Sequence, residues 1–498
     1  MIKVEEEIAS PQLFDPGEGP ASDHAFRRRV LLLVGTISGL ISFDWASTNV
    51  SLATVRDKLQ FTPAAVPWII SAYMLTFGGF LLLGGRLADL YGRRRLLLIG
   101  MGLFSLSSVF SALSPNAEFF LLARFIKGIG AALVAPNTYA LLNSHFSEGK
   151  RRNSAMATFS LLGGIGYALG NLLGGTLTSV SWRLTVSVGA TASAVLFVLV
   201  ARWLPKKEAI RAQGGFDLLG AVLSTLGFGL LIFTVSKCVQ LGAGSPITLV
   251  LFALSILLLL GFVISNRRHP FPIVPAHLLL SRNVIGASVV SFFLMGSGQG
   301  TFFQVALFLQ DVFKFSVKQT GLALIPFVLM GLLSTLFIGR ILNRIGFLRT
   351  LLLGLLINVV SITYFAFLTK KSGYLYGLLP GLLLWDFGFP LAMVGVKIPA
   401  GSGLEPKDQG IANGFNYALE QLGAAFGVTL FGAINLAGQG WARSVGSTDV
   451  TAGFHWAFAA SVVFILLGLG GAIFILRETR ALPRQRDAAV GLLAKEAL

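Results

Sequence analysis

Cysteine is nearly missing from this 498-residue chain: Cys238 stands alone, which excludes a disulfide framework and any Cys-based metal site within one copy. Histidine is also scarce. The five histidines show neither H-E-x-x-H nor H-x-x-x-H spacing, so no metal is expected. Charged residues make up only 12% of the chain and hydrophobic residues 54%, a balance outside the range of soluble domains. That balance predicts an integral membrane protein. Acidic residues are outnumbered 22 to 39 by Lys and Arg, for a net charge of +17. The basic residues cluster at the ends of apolar runs, where membrane topology accounts for them, so no nucleic-acid partner is expected. Catalytic punctuation is absent as well: there is no G-x-S-x-G, Gly-rich P-loop or histidine cluster, so the chain is not expected to be an enzyme. Nor does any stretch alternate with the period of a membrane β-strand.

What the chain has in abundance is apolar length. A spanning helix needs roughly 20 mainly apolar residues, and such runs lie near 30–50, 64–85, 95–113, 117–143, 153–175 and 183–204. Two more lie near 217–236 and 247–265. Six others follow, near 284–313, 321–342, 350–368, 376–400, 410–437 and 454–476. The expected fold is an all-α polytopic membrane protein with two six-helix bundles and two extra helices, 14 transmembrane helices in all. The expected division is a flexible tail over 1–26, a first bundle over 27–211, a two-helix insert over 212–270, a second bundle over 271–480 and a tail over 481–498. The acidic, Pro-containing residues 1–26 lack the charge order of a signal peptide. If the amino terminus is cytoplasmic, most Lys and Arg fall on the inner side, including Arg27 to Arg29, Arg93 to Arg95, Lys150 to Arg152, Arg202 to Arg211, Lys397 and Lys407. Both termini are then expected inside.

An internal echo ties the bundles together. GGRLADLYGRRR (84–95) follows the second run and GRILNRIGFLR (339–349) follows the tenth, at equivalent places. Paired halves with a binding site between them at mid-depth are the pattern of secondary transporters.

The first of these loops resembles the loop motif of the major facilitator superfamily, G-x-L-x-D-x-x-G-R-[KR], through Gly85, Leu87, Asp89, Gly92, Arg93 and Arg94. Leu90 stands where the family usually has a base, and Asn343 takes the Asp position in the second copy. LLARFIKGIGAALVAP (121–136) is similar to the fourth-helix pattern R-x-x-x-G-x-G-A-A, with Arg124 as its arginine. FDWASTNVSL (43–52) resembles the first-helix pattern of the 14-helix drug:proton antiporter branch, sharing Asp44, Asn49, Val50 and Leu52. GIGYALGNLLGG (164–175) resembles the branch's fifth-helix antiporter motif through Gly166, Gly170, Gly174 and Gly175, with Asn171 where the family has proline. These glycines are equally what packs membrane helices in proteins of many functions. The resemblance covers Arg27 to about Arg480, and the extra helix pair selects the 14-helix branch. It implies a multi-pass protein of the bacterial inner membrane that exports small amphipathic, often cationic compounds. It implies a proton gradient as energy source with no cofactor, protons and the lipid bilayer as partners, and function as a monomer. The alternative is an uptake symporter or uniporter for a metabolite or organic anion, favoured by Asn171 and by the cations Arg124 and Lys127.

Ionisable residues inside spans cost about 2.5 to 3.5 kcal/mol on insertion scales, so each calls for a partner, a water path or a function. Asp44 and Arg124 fall at similar depth by helix rise and are expected to pair. Asp386, in LLLWDFGFPLAMVG (382–395), falls near the midplane beside Gly388 and Pro390, where a broken helix with Trp385, Phe387 and Phe389 suits an amphipathic cation. Glu420 is also near mid-depth, on a polar face with Asn413 and Asn416. Asp311 belongs at an outer helix end within reach of water. Asp44, Asn49, Arg124, Asp311, Trp385, Asp386 and Glu420 are the expected coupling or substrate residues. The inner-gate loop is expected from Gly85, Asp89, Gly92, Arg93 and Arg94.

Overall fold

The computed structural model describes residues 20–146, 150–204, 215–242, 244–401, 404–447 and 449–479. The far termini and much of the basic segment 202–211 lie outside the described residues, as do the side chains of Lys150, Arg152 and Lys407. Fifteen α-helices follow in order: α1 (Pro20–Lys58), α2 (Trp68–Tyr91), α3 (Arg93–Ala112), α4 (Ala117–His145), α5 (Lys150–Val180), α6 (Trp182–Trp203), α7 (Leu218–Leu241) and α8 (Pro246–Arg268). The second half holds α9 (Ala276–Leu280), α10 (Arg282–Leu307), α11 (Val317–Ala323), α12 (Ile325–Phe365), α13 (Leu379–Gly401), α14 (Pro406–Ser444) and α15 (Ala452–Thr479). No strand occurs among the described residues.

Among the described residues thirteen helical stretches are long and apolar enough to cross a membrane. One of them contains α12, whose 41 residues are broken at Gly346, with φ 80° and ψ 166°. The two arms of α12 are the separate spans expected near 321–342 and 350–368, which brings the spanning segments to fourteen. Gly92, between α2 and α3, has φ 95° and ψ 134°. The two glycines hold the same place in the two echoed loops, so the repeat seen in sequence is a repeated one-residue hinge. Side chains rarely tolerate such angles. Gly346→Ala meets no atom within 4 Å, so its cost is backbone strain alone. It is expected to lower stability by about 1 to 3 kcal/mol, read as a lower midpoint in thermal unfolding of the detergent-purified protein, whereas Gly339→Ala, in helical backbone with the same free space, should not lower it.

Helix starts carry their own chemistry. The Asn116 side chain accepts from Phe119 N at 3.0 Å, Asp217 from Gly220 N at 2.6 Å and Ser245 from Thr248 N at 3.2 Å. Ser316 and Gln319 form a capping box at α11. Within the first half α1 packs on α5, α2 on α4, and α3 on α4 and α6; within the second α10 packs on α14 and α15, and α12 on α13. The halves meet along two seams. At one, α2 lies on α14; at the other, α5 lies on α11 and α12. The α7 and α8 hairpin covers the α2 and α14 seam, with Trp68 set against Phe125 of α4 at 6.1 Å and Phe233 of α7 at 6.4 Å between ring centres, and Ser236 Oγ donating to Ala64 O at 3.0 Å.

Helix contacts inside are small or polar. Gly166, Gly170 and Gly174 face Gly39, Phe43 and Ser47 on α1, a stripe against a stripe at four-residue spacing. Ser71 Oγ donates to Ala425 O at 2.9 Å across the seam, and Ser297 and Thr301 share Ser461 at 2.8 and 2.7 Å. The outer surface is aliphatic, with α8 exposing Leu249, Val250 and Leu257. An apolar exterior around hydrogen-bonded backbone is what a bilayer requires.

Candidate functional site

The Asp44 carboxylate in FDWASTNVSL has two partners. Asp44 Oδ2 lies 3.1 Å from Arg124 Nη1, as expected, and Oδ1 accepts from Lys127 Nζ. The three residues are 5%, 2% and 1% exposed. Arg124 Nε also donates to Ile69 O at 2.9 Å, its guanidinium sits 4.8 Å from the Tyr73 ring, and Lys127 Nζ lies 4.7 Å from the Phe104 ring. Lys127 was not expected in this cluster, yet its signal was present: it follows Arg124 by three residues and so shares its helix face. The helix carrying Asp44 runs past residue 50 to Lys58, so the carboxylate is about 21 Å from that end by helix rise. It belongs to the middle of the first bundle rather than to its outer half. Thr48 Oγ1 and Ser47 Oγ turn back to Asp44 O at 2.7 and 3.2 Å, and Asn49 Nδ2 donates to Trp45 O at 3.0 Å. These side chains bond to carbonyls of their own helix and do not line the aromatic cavity.

Between the halves lies a cavity of about 310 Å³. The first half contributes Ser42, Trp45 and Tyr167, and the second contributes Phe302, Phe327, Trp385, Asp386 and Phe389. Trp45 stacks on Tyr167 and Phe302 at 5.4 and 5.7 Å, while Trp385 meets Phe327 at 5.1 Å and Phe389 at 6.4 Å. Of the residues expected around the carboxylate, Trp385, Asp386 and Phe389 line this cavity and Phe387 does not. The expected helix break at Pro390 is absent: α13 continues through Pro390 and Pro399, and the irregularity is a π-turn at Tyr374–Leu378. Asp386 is 9% exposed and has no Lys or Arg partner among the described residues. The indole Nε1 atoms of Trp45 and Trp385 are buried without a hydrogen-bond partner. An aromatic box with one carboxylate and two spare donors can hold a flat cation that also carries an acceptor.

Glu420 is 1% exposed, with Oε2 at 3.8 Å from Lys397 Nζ and Oε1 unpartnered. Lys397, expected at a helix end, stands inside α13, with its side chain half exposed. Asn416 Nδ2 donates to Ser291 Oγ at 2.9 Å and so joins α14 to α10.

At the opposite end of the molecule Arg56 grips Asp311. Nη1 to Oδ2 is 3.0 Å and Nη2 to Oδ1 is 3.2 Å, a two-pronged bond from α1 to the π-turn Phe308–Val312. Asp311 is thus bonded across the halves and not simply solvated. Beside it Gln310 Nε2 donates to Val50 O at 3.3 Å, and a Cβ on Gly175 would meet Val317 O at 2.8 Å. Asn171 is fully buried, its Nδ2 donating to Tyr167 O at 3.0 Å and its Oδ1 unpartnered.

In the loop motif Asp89 Oδ1 lies 3.7 Å from Arg93 Nη2. Arg93 also donates to Ala140 O at 3.1 Å and Arg94 to Ala201 O at 2.7 Å, near the carboxyl ends of α4 and α6, where helix dipoles favour cations. A Cβ on Gly85 would meet Pro136 at an ordinary 3.7 Å, and the tight approach is at the neighbouring Gly84 against Ala132.

Comparison with known proteins follows the same lines. The chain is 33% identical over 454 residues to the cephamycin export protein CmcT of Amycolatopsis lactamdurans, covering 90% of this chain and 92% of that one. It is 31% identical to the puromycin resistance protein pur8 of Streptomyces alboniger, covering 91% and 92%. Among solved structures, the POT family transporter PepTSo superposes with a TM-score of 0.67 at 15% identity, over 91% of this chain and 99% of that one, a likeness of fold. The Major Facilitator Superfamily model matches residues 34–428, and the chain belongs to that superfamily.

Proposed function

We propose that this protein is a proton-coupled exporter of small amphipathic, cationic compounds, working as a monomer by alternating access in a bacterial inner membrane with both termini cytoplasmic. The observation that carries the reading is Asp386: a carboxylate without a basic partner among the described residues, set in an aromatic cavity built from both halves of the chain. The export and resistance names of the relatives support the direction. In this reading the Arg56 and Asp311 end is the outer end and is closed to the aromatic cavity, while the end bearing the loop motifs faces the cytoplasm. A cation enters from there, stacks on Trp45 and Trp385, and neutralises Asp386. A proton arriving from outside competes for the same carboxylate and displaces it. No cofactor or catalytic step is involved; the proton gradient supplies the energy. The anion-uptake alternative rested on Asn171, Arg124 and Lys127; the two cations are paired with Asp44, and none of the three lines the aromatic cavity.

Everted membrane vesicles from cells expressing the chain should accumulate ethidium when their lumen is acidified, and lose it when nigericin collapses the gradient. Accumulation by right-side-out vesicles instead would identify an importer and overturn the proposal.

A further inference from the structure

A second cavity, of about 590 Å³, opens at the Arg56 end between the end of α1, the segment joining α1 to α2, α10 and α14. Small-molecule sites span roughly 300 to 1,000 Å³, so it is large enough to hold a ligand. The Trp45 and Phe302 stack separates it from the aromatic cavity: on α10, Phe302 faces one space, and its neighbours Phe303 and Gln304 face the other.

Its wall carries a chain of amides. Gln439 Nε2 donates to Asn435 Oδ1 at 2.8 Å, and Asn435 Nδ2 donates to Gln304 Oε1 at 2.6 Å. The chain ends at Gln304 Nε2, which has no partner although Gln304 is 0% exposed. Reversing every amide moves the problem without removing it, because Gln304 then presents a spare acceptor at the same place. Burying an amide with an open valence is costly, so the site is built for something that fills it. Asn435, Gln439 and Arg443 follow at four-residue spacing on one face of α14, which puts Arg443 about 12 Å along the helix from Asn435. The acids nearby are engaged: Arg56 bonds both Asp57 and Asp311. Arg443 lines the cavity and has no carboxylate within ion-pair distance among the described residues.

We propose that this vestibule is a second ligand site, for amphipathic acids whose carboxylate pairs with Arg443 and whose polar core reaches the amide of Gln304. It differs from the aromatic cavity in the sign of charge it prefers, and it does not depend on the direction of transport. Two probes with one fluorophore test it: dansylglycine, an acid, and dansylcadaverine, a cation, titrated into the full chain in lipid nanodiscs. Dansylglycine should bind saturably, weaken at least tenfold, about 1.4 kcal/mol, in Arg443→Ala, recover in Arg443→Lys, and weaken in the length-matched Gln304→Met. It should be indifferent to Trp385→Ala. Thermal unfolding of each variant checks that it folds, and the exposed Arg443 change keeps the test decisive if Gln304→Met does not. No saturable dansylglycine binding, binding unchanged by Arg443→Ala, or binding lost in folded Trp385→Ala would overturn the proposal. Dansylcadaverine reports on the aromatic cavity alone, so its failure to bind counts against the exporter reading and not against this one.

Discussion

Asp44→Ala is expected to destabilise the folded protein by about 3 to 5 kcal/mol. The carboxylate is the shared partner of two buried cations, and removing it leaves Arg124 and Lys127 side by side with no anion. Arg124 keeps its bond to Ile69 O and its place beside the Tyr73 ring, but Lys127 keeps only the Phe104 ring. Lys127→Gln has the opposite logic. It turns a two-to-one cluster into a balanced pair and should cost less than about 1.5 kcal/mol, in the range of a single hydrogen bond. The double change should therefore be milder than Asp44→Ala alone. Thermal unfolding of the detergent-purified proteins, with membrane yield beside it, checks the order. Equal losses in the two single variants would mean that Asp44 is not shared.

Asp386→Asn is expected to abolish gradient-driven ethidium accumulation, by at least tenfold, while leaving the fold intact. Among the described residues Asp386 has no basic partner, so the neutral amide strands no buried cation. The amide keeps the shape of the cavity, but it can neither attract a cation nor bind and release a proton. Trp385→Ala removes aromatic surface and an unpartnered donor, so it should weaken binding while leaving the dependence on pH in place. Vesicle uptake measured across a series of lumenal pH values separates the two. If Asp386→Asn retained the wild-type gradient dependence, coupling would have to reside at Glu420 or Asp44.

The helices were legible because membrane spans announce themselves by apolar length, and the hinge repeat was legible because Gly92 and Gly346 sit in echoed loops. The first helix outran its expected end because residues 51–58 are too polar to read as a span, and yet they are helical. Asp44 with Arg124 pairs as expected, although the depth count behind that expectation ended α1 at residue 50 and not at Lys58. Arg56 with Asp311 could not be paired from the sequence, since 255 residues separate them and neither lies at an unusual position in its own segment. Lys397 was read as a topology charge because it is near a helix end in sequence. Only the packing of α13 beside α14 shows that it reaches Glu420. Pro390 was read as a break because proline removes a backbone donor, but one missing hydrogen bond is tolerated inside a packed helix.

The hairpin of α7 and α8 has a consequence for compounds dissolved in the bilayer. Two repeated halves enclose a space with two lateral flanks, and the hairpin shutters only one of them. The aromatic cavity is bounded by α5 and α12 on the other flank, where no extra helices intervene. A hydrophobic drug diffusing within the lipid therefore meets a molecule with a front and a back, and the insert decides which is which.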